Sequence, residues 1–133
     1  MTITYEAHGN VDIIVDDNVI MIDAAGPWND EFFPELHQQL ALAVQHVDVN
    51  NYGVVLNVSG SAIASPASIE AHAKFVEQGR AKAVAVNMSE CTSASISETL
   101  FAKVYRGAGL KYEFFLDSAS AIAWINEQLS ETK

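Results

Sequence analysis

The sequence has almost no cysteine: Cys91 stands alone among 133 residues. An intrachain disulfide needs two thiols, and a lone cysteine is typical of reducing compartments, so we expect a cytoplasmic protein. A thiol near helix amino termini can be reactive. No His or basic residue lies close to Cys91 in sequence to activate it. This pattern favours a small, half-buried Cys over a nucleophile.

Long hydrophobic runs are also missing. No apolar stretch approaches the ~18 residues that cross a bilayer, and the first six residues lack the basic and apolar regions of a signal peptide. We therefore expect a chain that is not an integral membrane protein. Half of the residues are apolar and 18% are charged, which is typical of a globular chain and predicts a single domain over 1–133.

Positive charge is scarce and unevenly placed. Seven Lys and Arg face 17 Asp and Glu, a formal charge of −10, and every basic residue lies at Lys74 or later. Such a balance argues against nucleic acid and against attachment to anionic lipid surfaces. Two interpretations of the asymmetry stay open: cations placed near helix carboxyl ends, where the helix dipole favours them, and an acidic face for a basic partner.

The order of apolar patterns predicts an edge strand, a hairpin, and then alternating helices and strands. The predicted strands are 3–7, 11–15, 19–24, 54–58, 82–88 and 112–116. Helix starts are indicated at Asn29 or Pro34, at Ser65-Pro66, at a Ser95–Glu98 capping box, and at Asp117 or Ser118. This alternation predicts an α/β fold with about four helices and a mixed, mostly parallel sheet carrying an antiparallel amino-terminal hairpin.

Two loops of small polar residues follow the central predicted strands, at 59–68 and 89–95. Open α/β sheets bind ligands beyond the carboxyl ends of their strands, so we expect function at this edge. The candidate residues are Ser59, Ser61, Ser65 and Ser68, together with Cys91. The serines are either helix caps and turn residues or an anion or phosphorylation site, and both interpretations stay open.

An aromatic group is expected at the same edge. Trp28, Phe32 and Phe33 follow the third predicted strand, and Ile63 lies in the loop after the fourth. Together they could line an apolar pocket or a partner-binding patch. Core packing explains them equally well.

Motifs of catalysis and cofactor binding are not found. The sequence has no G-x-G-x-x-G after a strand, no phosphate-binding Gly-rich loop ending in Lys-Ser/Thr, no G-x-S-x-G and no H-E-x-x-H. The histidines, His8, His37, His46 and His72, are expected at the surface or rim and not as metal ligands. We expect no cofactor, no metal and no catalytic constellation.

The run Val55-Leu56-Asn57-Val58-Ser59-Gly60 resembles the apolar strand ending in Asp-Leu-Ser-Gly of the STAS (SpoIIAA-like) family. Members that act as anti-sigma-factor antagonists carry a phosphorylated Ser further on, and an ungapped match places Ala67 at that position. The stretches at 26–29, 115–117 and 121–125 are more similar to a divergent branch that is thought to bind apolar ligands or lipids. The resemblance implies a cytoplasmic binding or regulatory module without catalytic residues.

Two main hypotheses follow. In the first, the protein binds an apolar small molecule or lipid near the aromatic group. In the second, it is a protein-interaction module of the anti-sigma-antagonist type, phosphorylated near Ser65 or Ser68. An enzyme using Cys91 or a loop Ser is a third and weaker hypothesis, and a homodimer is compatible with either main hypothesis.

Overall fold

The computed structural model describes residues 2–7, 9–26, 28, 32–61 and 65–130. Within them the strands are β1 (Thr2–Ala7), β2 (Gly9–Asp16), β3 (Val19–Ala25), β4 (Gly53–Gly60), β5 (Ala83–Cys91) and β6 (Lys111–Phe115). The helices are α1 (Phe32–Val44), α2 (Pro66–Gln78), α3 (Ala94–Gly107) and α4 (Ser118–Ser130).

The described strands form one sheet in the order β1-β2-β3-β4-β5-β6. The pairs β1–β2 and β2–β3 are antiparallel, and the pairs from β3 to β6 are parallel. Asp17, at φ 53°, turns the chain between β2 and β3, as the turn-forming triplet there predicts. The predicted α/β architecture, with a parallel sheet and an antiparallel amino-terminal hairpin, is confirmed.

The strand order decides where the helices lie. Because each parallel strand lies beside the previous one, crossovers of a single hand place α1, α2 and α3 on the same face of the sheet. A large buried cluster joins Leu36 and Phe101 to Ile20 and Leu56 on this face, which we call the front face. On the back face, α4 packs through Ile125 against β4 and β5.

Three local predictions are wrong. Ser59 and Cys91 were expected in loops, but they lie in β4 and β5, which continue past their apolar runs because their backbones stay paired, Ser59 with Glu90 and Gly60 with Cys91. One extra residue in β5 shifts the register between Asn57 and Ser59. The predicted capping box at Ser95 is displaced as well, since α3 begins at Ala94 with Ser93 as its N-cap.

Candidate functional site

A cavity of about 670 Å³ lies between the front face of the sheet and the three helices that cover it. Its floor is formed by β3, β4 and β5, through Ile20, Ile22, Leu56 and Val84. The helices supply the walls, and most of the lining is apolar. A volume of this size is in the range of small-molecule sites, which are roughly 300–1,000 Å³.

The inner end of the cavity is lined by aromatic rings. Trp28 stacks on Phe32 with ring centroids 4.9 Å apart, and it contacts Phe33 edge-on at 5.7 Å. Phe101 of α3 completes the group at 6.2 Å from Trp28. Each of these rings is buried, with 8% or less of its surface exposed. Trp28, Phe32 and Phe33, which were expected to line a pocket or to pack in the core, therefore pack together and also border open space.

Among the described residues, the cavity lining is exposed at one end, which we call the mouth. The exposed lining residues follow the carboxyl ends of the helices: Val49 beyond α1, Gly79 and Arg80 beyond α2, and Gly109 beyond α3. These positions correspond to the amino ends of the parallel strands. At the carboxyl edge, the side chains of Trp28 and Phe33 are buried. Function was expected at the carboxyl edge because open α/β sheets usually bind their ligands there.

A histidine pair joins α1 to α2 beside the inner end. His37 Nε2 lies 2.9 Å from His72 Nδ1, so one ring donates a hydrogen bond to the other. Phe75 stacks on His37 at 4.0 Å, and Phe33 lies 5.2 Å from His72. His72 is 8% exposed and lines the cavity.

The expectation that these two histidines lie singly at the surface or rim is therefore wrong. The spacing in the sequence indicates that both histidines lie on apolar helix faces. His37 comes one turn after Phe33, and His72 falls between Ile69 and Val76 on the apolar side of α2. Among the described residues, no group of three or more His, Cys, Asp or Glu could hold a metal ion.

Burial controls the protonation of the pair. Desolvation lowers the pKa of His37 to about 4. Desolvation, together with the charge that His37 would carry, lowers the pKa of His72 to about 3. Both rings are consequently neutral near pH 7, and the accepting nitrogen of the pair is then unprotonated. Burial also raises the pKa of Tyr105, another residue of the cavity wall.

The serines at the carboxyl edge do not line this cavity. Ser65 is the N-cap of α2 and accepts a hydrogen bond from the Ser68 backbone N–H at 3.2 Å. Ser68 is buried, with 6% of its surface exposed. Ser59 and Ser61 are half-buried at the end of β4, and Ile63 lies outside the described residues. This placement favours the capping interpretation for Ser65.

Cys91 is half-buried at the end of β5. Its Sγ lies 3.7 Å from Ser93 Oγ, which in turn lies 2.8 Å from Ser97 Oγ. The structure thus joins the thiol to the hydroxyls at the start of α3. Cys91 is not among the residues that line the cavity.

The helices that the structure describes include none long and apolar enough to span a bilayer.

No family model matches the chain, and no curated protein matches it. Among solved structures, it is similar to an uncharacterised protein of Shewanella loihica PV-4, described as a member of the DUF3478 family with a SpoIIAA-like fold. The TM-score is 0.63 at 15% identity, and the match covers 92% of this chain and 98% of the other. The protein therefore has the SpoIIAA-like, or STAS, fold.

Proposed function

We propose that this protein binds an apolar small molecule or a single-chain lipid in the cavity beneath α1, α2 and α3. The supporting observation is the cavity itself: about 670 Å³ of space bordered mainly by aliphatic and aromatic side chains. Protein interiors normally fill such space, and a void of this size forfeits packing energy. A bound apolar molecule would recover that energy.

The polarity of the lining supports an amphiphile that enters with its apolar end first. The buried end carries no charged side chain among the described lining residues, whereas Glu77 and Arg80 stand exposed at the mouth. An apolar chain would lie against Ile22, Leu36 and Leu56. Burial of its methylene groups would contribute about 0.8 kcal/mol each.

The two tryptophans provide a direct test. Trp28 lines the cavity, whereas Trp124 belongs to α4 and packs against Phe115 on the back face. In a Trp124→Phe variant, titration with 1-decanol should change Trp28 emission in a saturable manner. In the matched Trp28→Phe variant, Trp124 emission should stay constant under the same titration.

A response from both tryptophans would indicate non-specific partitioning. If Trp28 does not respond to 1-decanol, and a neutral apolar dye such as Nile red does not bind either, the proposal is wrong. Circular dichroism of both variants should match that of the parent protein. This control ties any fluorescence change to binding.

A further inference from the structure

Among the described residues that line the cavity, few of the buried ones carry side-chain groups that can form hydrogen bonds. They are the indole N–H of Trp28, the hydroxyls of Tyr52 and Tyr105, and the imidazole of His72. The indole Nε1 of Trp28 is fully enclosed by protein atoms, with no hydrogen-bond partner among the described residues. It has no exposed surface to offer a ligand.

His72 differs from the others because a neighbour fixes its ring. Its Nδ1 is engaged with His37 Nε2 at 2.9 Å, and contacts with Phe33 and with the His37 ring restrain the plane. The second nitrogen, Nε2, lies on the other side of the ring and makes no hydrogen bond to a described residue. This nitrogen is not among the enclosed polar atoms that lack a partner in the described residues, so it is not sealed from the cavity as the Trp28 indole nitrogen is.

We propose that His72 Nε2 forms a hydrogen bond with a neutral oxygen, a hydroxyl or a carbonyl, of the molecule bound in the cavity. This inference rests on the proposed function and adds the class of ligand. The ligand is an apolar molecule with one uncharged oxygen, which contacts His72 beside Phe33. The His37–His72 bond can run in either direction. With His37 as the donor, His72 Nε2 carries the proton and donates to a carbonyl; with His72 as the donor, Nε2 accepts from a hydroxyl.

A carboxylate fits this position poorly. No cationic side chain among the described residues lines the inner end, and an unpaired buried anion pays a large desolvation cost. The lowered pKa of His72 agrees, because the ring stays neutral and would not supply a countercharge.

The experiment compares ligands of equal chain length by their displacement of Nile red: 1-decanol, 1-chlorodecane and decanoate. We expect 1-decanol to bind about 3- to 10-fold more tightly than 1-chlorodecane, the range for one net hydrogen bond. In His72→Phe, which keeps a ring beside Phe33, this preference should fall to about 1-fold while 1-chlorodecane binds as before. His72→Gln, which retains a donor and an acceptor, should restore part of it.

Tyr105→Phe and His46→Phe serve as controls, since the first removes a competing hydroxyl from the wall and the second alters an exposed His of the same chain. Both should keep the preference for 1-decanol. Equal binding of 1-decanol and 1-chlorodecane by the wild type, loss of the preference in Tyr105→Phe, or tightest binding of decanoate would each overturn the inference while leaving the proposed function intact. Failure of all three molecules and of Nile red to bind would reject the proposed function itself.

Discussion

Val84 and Ala85 are neighbours on β5, yet they face two layers that are built in different ways. Ala85 belongs to the back face, where Ala83, Ala121 and Ile125 have no exposed surface and α4 lies close to the sheet. Val84 belongs to the front face and borders the 670 Å³ cavity. One strand therefore separates a fully packed layer from an incompletely filled one.

Side-chain size accounts for the difference. On the back face small residues let the helix approach: a Cβ added to Gly53 would lie 3.0 and 3.1 Å from two carbons of Ile125. On the front face, α2 has only polar side chains, Ser68 and His72, in its buried positions. Its larger apolar residues, Ile69, Phe75 and Val76, are only half-buried and leave space above Leu56. Because both faces of the sheet are apolar, the void on the front face arises from the helix that covers it.

The largest expected effect concerns two buried isoleucines, Ile125 on the back face, which is 0% exposed, and Ile22 on the cavity floor, which is 3% exposed. Core Ile→Ala substitutions cost roughly 2–5 kcal/mol. We expect about 4 kcal/mol for Ile125→Ala, because it empties a close-packed layer, and about 2 kcal/mol for Ile22→Ala, since part of its surface already faces the void. Urea denaturation measures both, and equal losses would contradict the comparison.

Acid should destabilise the protein through the cavity face, because His72 is the only buried His, Asp, Glu, Lys or Arg among the described residues and it lines the cavity. The pKa of His72 in the folded protein, about 3, is below the unfolded value of 6.5, so folding favours the neutral ring. This contribution is fully present above pH 6.5 and is lost as the pH falls toward 3. By linkage, His72 alone should lower the free energy of unfolding by about 2 kcal/mol between pH 7.5 and pH 5.

The pH test compares the wild type with His72→Phe, in which the slope of stability against pH should be shallower over this range. Carboxylates titrate in both proteins and cancel in the difference. Circular dichroism at pH 7.5 should show that His72→Phe is folded before the two pH profiles are compared. Parallel pH profiles for the wild type and His72→Phe would show that His72 is not buried as a neutral ring.

Much of the fold could be predicted because its signals are local and repeated. The apolar run 54–58 and the Ser65-Pro66 helix start each determine an element without reference to distant residues, and both elements are found. Strand ends were less predictable. Ser59 and Cys91 continue their strands through backbone pairing with a neighbour, which side-chain patterns do not report.

The candidate site was harder to predict because it depends on volumes and on distant pairs. The aromatic residues Trp28 and Phe33 could be singled out from the sequence, but whether space adjoins them depends on how far α2 lies from the sheet. His37 and His72 are 35 residues apart along the chain, and a lone helical histidine is usually a surface or rim residue. Their helical spacing from Phe33 and Ile69 indicates which faces they share, though not that the two rings meet.

The smallest expected effect concerns Val84 and Ala85, the neighbours on β5, and is tested by enlarging each side chain. Ala85→Val should cost about 1.5 kcal/mol, because overpacking of a filled layer forces side chains and backbone to shift. Val84→Leu should change the free energy of unfolding by about 0.5 kcal/mol or less, since the added methylene enters the cavity. The same Val84→Leu substitution should weaken Nile red binding, whereas Ala85→Val should not. Urea denaturation measures the free energy of unfolding of the two variants, and titration with Nile red measures their dye affinity. A stability loss in Val84→Leu as large as that in Ala85→Val would mean that the front face is already filled.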